Sequence, residues 1–227
     1  MMTLETHLEG IVPALDRATV ALVRQSARIT ASDEGAIREG FAECADARVS
    51  AEWLEELVLQ SYLFAGFPRA LNAAREWRRS AAAGSDVSSA GADTSVGGLP
   101  PGESYAAVHD WRERGEVTCA TVYGDSYAPL RRNIRALHDA LDDWMVVEGY
   151  GKVLSRPGLD LKRRELCIVA ACAAAGQDRQ LHSHLRGALN AGASPVEVRA
   201  ALDALAGVVH PELLERAIML WARVAGK

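Results

Sequence analysis

Lysine is nearly absent from this chain. Only Lys152, Lys162 and Lys227 stand among its 25 lysine and arginine residues, and 30 acids give a formal charge of -5 over 227 residues. Nothing in that balance favours nucleic acid or an anionic membrane as partner. Cysteine is sparse too: Cys44, Cys119, Cys167 and Cys172 form no C-x-x-C pair and no zinc spacing. They read as reduced thiols of a cytoplasmic protein. No apolar run is long enough for a bilayer; the longest, Leu166 to Ala175, is about half of what a span needs. The opening "MMTLETHLEG" has early acids and no continuous apolar stretch, so no signal peptide is expected. Alternating β-branched runs are missing apart from the short "EVTCATVYG".

What remains is helix. Helix formers dominate, punctuated by caps: Ser32 or Asp33, Ser50 before "AEWLEELVLQ", Asp160 after "RPGL", Ser194 with Pro195, and Pro211. "RRNIRALHDALDDWMVVEGYGKVLS" reads as one long amphipathic helix. Between residues 80 and 104 the composition turns to Gly, Ser and Ala with a Pro-Pro pair, too poor in apolar bulk to offset ordering entropy. This predicts three parts: a helical half over 1–79, a flexible linker over 80–104 and a second helical domain over 105–227. Residues 20–77 lay onto 164–221 without a gap at an offset of 144, with Ser50 opposite Ser194 and Trp77 opposite Trp221. Identity is close to chance. The shared order of caps and helices suggests an internal duplication.

One stretch carries a chemical question. In "RRELCIVAACAAAGQDRQLHSHLRGALNAGAS" a carboxylate, Glu165, sits in a helix apolar nearly all round. At 100° per residue it shares a face with Leu161, Val169 and Cys172, so it should be buried and needs a partner. An arginine such as Arg186 would serve; so would an imidazole. On the next helix His182 and His184 flank the apolar stripe of Leu181, Leu185 and Ala188 on opposite sides. They cannot both enter one pocket, and spacing does not choose between them. H-x-H on a helix is not a shared-face pair, and no third ligand is obvious, so no metal is expected.

The run "EGYGKVLSRPGLDLKRREL…AAAG…H…RGALNAGAS" resembles the carboxymuconolactone decarboxylase family, which includes the alkylhydroperoxidase D branch. Gly151, Ser155 to Asp160, Glu165, His184, Arg186, Ala188 to Asn190 and Gly192 carry the likeness, which covers about Trp111 to the end. "LVLQSYLFAGFPRALNA", Leu57 to Ala73, resembles the C-terminal ending of the same family; the second copy lacks it. The first copy has Ala21 opposite Glu165 and Gly40 opposite His184. The resemblance implies an all-α, duplicated helical fold of the carboxymuconolactone decarboxylase and alkylhydroperoxidase D kind, self-associating as a homo-oligomer. The peroxidase branch has C-x-x-C where this chain has Gln177 and Gln180, and amides cannot cycle thiols. Cys167 and Cys172 lie about 140° apart on their helix and do not replace it.

The resemblance therefore implies cofactor-free acid–base chemistry on a small carboxylic acid, a decarboxylation or a lactone or enol reaction. Glu165 and His184 are its candidate catalytic pair, with His184 as proton carrier. Gln180, one turn before His184, is a candidate donor to a developing oxyanion. His182 is a secondary candidate for substrate contact. Tyr62 and Phe67 should bring an apolar wall from the first half, and Tyr150 and Trp144 are possible further walls. A non-catalytic helical oligomer binding a small molecule is the alternative, and thiol peroxidase activity ranks behind both.

Overall fold

The computed structural model describes residues 14–83 and 108–226, and among these every regular element is helical. Four helices form the first group: α1 (Arg17–Ala31), α2 (Glu34–Asp46), α3 (Ala51–Ala65) and α4 (Phe67–Ala83). An arm follows: α5 (Val108–Tyr123), α6 (Tyr127–Leu137), α7 (Asp139–Trp144) and a π-helical segment, Met145–Leu154. The chain closes with α8 (Leu161–Ala174), α9 (Asp178–Asn190), α10 (Pro195–Asp203) and α11 (Pro211–Ala225). No described helix is long and apolar enough to cross a membrane.

Caps set the helix starts. Asp16 and Asp160 accept from the backbone N–H three residues on, at 2.7 and 3.0 Å. Ser50 and Ser194 do the same at 3.2 Å, and Ser194 closes a full capping box with Glu197. Each orphan N–H met this way removes a cost of about 1 kcal/mol. Helices α8 to α11 start 144 residues after α1 to α4: Arg17 and Leu161, Glu34 and Asp178, Ala51 and Pro195, Phe67 and Pro211.

The two groups meet where α1 packs on α8. There Arg163 donates to Thr19 Oγ1 at 2.9 Å and pairs with both cap carboxylates, Asp160 at 2.6 Å and Asp16 at 3.1 Å. Thr19 and Arg163 are themselves 144 positions apart, the same interval as the helix starts. Ser26 Oγ donates to the Cys167 carbonyl at 2.7 Å. Around this seam Leu22, Ile29, Leu166, Ile168 and Val169 are wholly buried in one continuous core. A buried ion pair adds a second tie: Arg164 on α8 donates to Glu56 on α3 at 2.8 Å, and to Gln60 at 3.1 Å. The Leu159 and Arg156 carbonyls accept its other hydrogens at 3.0 and 3.1 Å.

Three sequence expectations change here. The long helix expected over residues 131–155 is broken at His138, whose Nδ1 accepts from Ala140 N at 3.1 Å and caps α7. "EVTCATVYG" lies within α5 and its turn, because Cys119 and Val122 face the core and burial outweighs β preference. The expected linker start at residue 80 falls inside α4, where Ser80 Oγ bonds the Glu76 carbonyl at 3.0 Å; residues 84–104 lie outside the described residues.

The arm is pinned by glycines. A Cβ on Gly151 would lie 1.8 Å from the Trp111 carbonyl oxygen, and one on Gly115 would lie 2.1 Å from that of Val146. Only glycine permits so close a crossing of α5 and the π-helical segment. That crossing lays Tyr123 beside α9 and Tyr150 against Tyr123.

Candidate active site

Glu165 and His184 meet in the interior. The Glu165 Oε2 to His184 Nδ1 distance is 2.8 Å, with the carboxylate fully buried and the imidazole 5% exposed. Arg186 is not the partner; it lines a separate concavity with His182. Glu165 Oε1 is buried with no hydrogen-bond partner, so the imidazole is this carboxylate's one polar tie among the described residues. Mid-helix Gly187 makes room for the pair. A Cβ there would sit 2.5 Å from Glu165 Oε2 and 2.7 Å from Val122 Cγ1.

Aromatic rings hold the imidazole. Phe64 meets it edge-on with centroids 5.6 Å apart, and Tyr123 lies 6.3 Å away at 59°. Tyr123 in turn packs its edge against Tyr150 at 6.0 Å. Burial pushes both phenols above their ordinary pKa, so each stays protonated and able to donate.

His184 forms part of the wall of a cleft of about 770 Å³. The first half supplies Tyr62, Leu63, Phe64 and Phe67, with Tyr62 stacked on Phe67 at 4.7 Å. The arm supplies Tyr123, Trp144, Met145 and Tyr150, together with Glu148, Lys152 and Arg156. Lys152 pairs with Glu148 at 3.1 Å, and Arg156 with Glu56 at 3.1 Å. The wall is mostly apolar, with the charged groups Glu148, Lys152 and Arg156 along one part.

Not every sequence candidate reaches this cleft. Glu165, His184, Tyr62 and Phe67 are brought together, as are Tyr150 and Trp144. Gln180 is exposed on the first turn of α9 and does not line the cleft. It precedes His184 by one turn, but the helix presents that turn to solvent. His182 lines a second concavity of about 630 Å³ with Ser183, Arg186 and Asn190. This follows from its place on the opposite flank of the apolar stripe. Sequence reasoning placed the segment holding Phe64 near the site and counted Arg156 only as a motif residue; it passed over Tyr123 and Gly187. A glycine inside an apolar helical pattern was a readable signal for Gly187; Tyr123 had none, since its approach depends on the crossing of α5.

All four cysteines are buried. Burial pushes the thiols of Cys44, Cys119 and Cys172 up to about 12, and that of Cys167 higher still. Thiolates are the reactive species, so these residues are poor nucleophiles at neutral pH.

The stretch from the end of α7 through most of α11, residues 143–221, matches the family model described as the carboxymuconolactone decarboxylase family. Over this stretch the chain is similar to the carboxymuconolactone decarboxylase family. Both Glu165 and His184 lie inside the carboxymuconolactone decarboxylase region, whereas Tyr62, Phe64, Phe67 and Tyr123 lie before it. The cleft is thus built jointly by the family region and by residues outside it. No curated protein matches the chain.

Proposed function

We propose that the chain is a cofactor-free acid–base enzyme acting on a small carboxylic acid, by decarboxylation or related lactone or enol chemistry, with Glu165 and His184 as its working pair. The supporting observation is their 2.8 Å contact with the imidazole in the wall of a largely apolar cleft. Glu165 occupies Nδ1 and fixes the ring's orientation, which leaves Nε2 for the substrate. Phe64 limits ring rotation. Decarboxylation would break the bond to the carboxylate carbon, release CO2 and leave the electron pair on an adjoining carbonyl as an enolate. The imidazolium then protonates carbon and recovers its proton from water. Arg156 and Lys152 place positive charge in the same wall.

Several features support reading residues 20–77 and 164–221 as one duplicated unit: the constant spacing of helix starts, the paired caps and the contact of equivalent residues at the α1–α8 seam. In that reading only the second unit kept its chemistry. Ala21 stands at the Glu165 position and Gly40 at the His184 position. Gln25 fills the space, its Oε1 being 1.7 Å from where a Cβ on Gly40 would sit. Exposed Leu137, Leu141 and Trp144 along α6 and α7 support self-association, which sedimentation tests directly.

The deciding experiment screens β-keto acids and lactone acids for CO2 release. With an acid that turns over, Glu165→Gln and His184→Gln should each lower kcat by about 100-fold or more while circular dichroism stays unchanged. Turnover indifferent to both substitutions would refute the reading. One observation favours a non-catalytic binder instead: the cleft rim is unusually apolar, with Phe67 64% and Trp144 63% exposed. Ligand binding without turnover of any acid would select that alternative.

A further inference from the structure

An enolate needs a hydrogen-bond donor, and the helix that carries His184 does not supply one to the cleft, since Gln180 faces solvent. We propose that Tyr123 is that donor: its hydroxyl stabilises the oxyanion of a bound enolate while His184 handles the proton at carbon. This rests on the acid–base reading above.

Three observations lead to Tyr123. It is in the cleft wall beside His184, with the ring centroid 6.3 Å from the imidazole. The other ring packed on His184 is Phe64, which has no hydroxyl. Of the remaining phenols in the wall, Tyr62 stacks on Phe67, and Tyr150 lies behind Tyr123, 4% exposed. Tyr123 is therefore the phenol that packs on the imidazole, with Tyr150 as its support.

The site around it favours a neutral donor. Desolvation raises the Tyr123 pKa, and the nearby Glu165 carboxylate raises it further; the Tyr150 hydroxyl offsets part of this. Tyr123 thus keeps its proton across the working range and lends a hydrogen bond without transferring the proton. In a dry site such a bond to developing charge is worth far more than in water. Electron pair and proton are then divided. The carbonyl oxygen takes the pair as CO2 leaves, Tyr123 holds that oxygen, and His184 returns a proton to carbon.

The test uses 4-nitrophenol as an enolate mimic, because its absorbance reports how much of the bound form is ionised. Wild-type protein should bind 4-nitrophenolate and shift the bound probe toward the ionised form. Tyr123→Phe keeps the ring and removes the hydroxyl. It should weaken phenolate binding by about 10- to 100-fold and abolish the ionisation shift, while the thermal midpoint moves little. Tyr150→Phe should weaken binding by less. Equal affinity and an equal shift in Tyr123→Phe would overturn the proposal, as would wild-type protein that does not bind the probe. Failure here is distinct from failure of the acid–base reading. Phenolate binding that depends on Tyr123 but survives Glu165→Gln, with no acid decarboxylated, would keep Tyr123 as an oxyanion donor and sink the acid–base reading on which its catalytic use rests.

Discussion

Replacing Gly187 by alanine puts two opposing effects on one atom. In an ordinary helix interior the change stabilises by about 1 kcal/mol, because alanine orders more readily than glycine. Here the new Cβ would lie 2.5 Å from Glu165 Oε2 and 2.7 Å from Val122 Cγ1. Val122 is fully buried and cannot yield. The carboxylate would have to retreat by about 1 Å to reach normal contact. Its 2.8 Å bond to His184 would then stretch to the edge of hydrogen-bond range. Overpacking of this kind costs about 1–3 kcal/mol, so it equals or exceeds the helix gain. The expected result is a protein destabilised by roughly 0–2 kcal/mol, with altered His184 imidazole signals in NMR spectra. Gly149→Ala is the control, since a Cβ there meets nothing within 4 Å. A Gly187→Ala protein stabilised by about 1 kcal/mol, with imidazole signals unchanged, would refute the reasoning.

Other outcomes follow from the same structure. Glu56→Ala leaves the Arg164 guanidinium buried without its carboxylate and should cost about 3–5 kcal/mol in urea unfolding. Adding Arg164→Met should recover part of that, though not all, because the Leu159 and Arg156 carbonyls lose their donor; equal stability of the two variants would count against a coupled pair. Asp142, joined to Arg131 and Arg135, has a pKa lowered chiefly by its hydrogen bond from Arg131. A depressed folded pKa gives stability that is present above the ordinary value of 3.8 and lost as pH falls through the folded value. Amide protection factors in α6 and α7, corrected for the intrinsic pH dependence of exchange, should therefore fall as pH drops through the folded value, and Asp142→Asn should blunt the change. The native protein should react slowly with a thiol reagent at neutral pH and release four thiols on unfolding; fast native reaction would contradict the burial.

The sequence was most informative where chemistry is local. Asp160, Ser50, Ser194 and Pro211 mark their helices within a residue, because a cap is a contact across three positions. Glu165 stood out because a carboxylate on an all-apolar helix demands a partner. The choice of His184 over His182 and Arg186 needed either the family resemblance or the tertiary packing, since both histidines flank one stripe. Tyr123 could not be read at all, and Arg156 stood out only as part of a motif, not as part of a cleft wall. Their places depend on α5 crossing the π-helical segment, a contact made through Gly115 and Gly151, which are 36 positions apart. Gln180 misled for the opposite reason: one helical turn gives proximity along an axis but not the side of the helix that faces a cavity.

Gln25 and Gly40 bear on the history of the molecule. Suppose the first half once held its own acid and base. Regaining them would require a histidine at 40, but any side chain there now collides with Gln25 Oε1 and with Arg28 Cδ, 2.8 Å away. Restoring the carboxylate at Ala21 alone would bury a charge with no imidazole to meet it. Each single step back is therefore penalised, and only concerted changes at 21, 25 and 40 would be tolerated. On that supposition such a plug would work as a ratchet: once it is in place, selection on one half could no longer be relaxed by reviving the other.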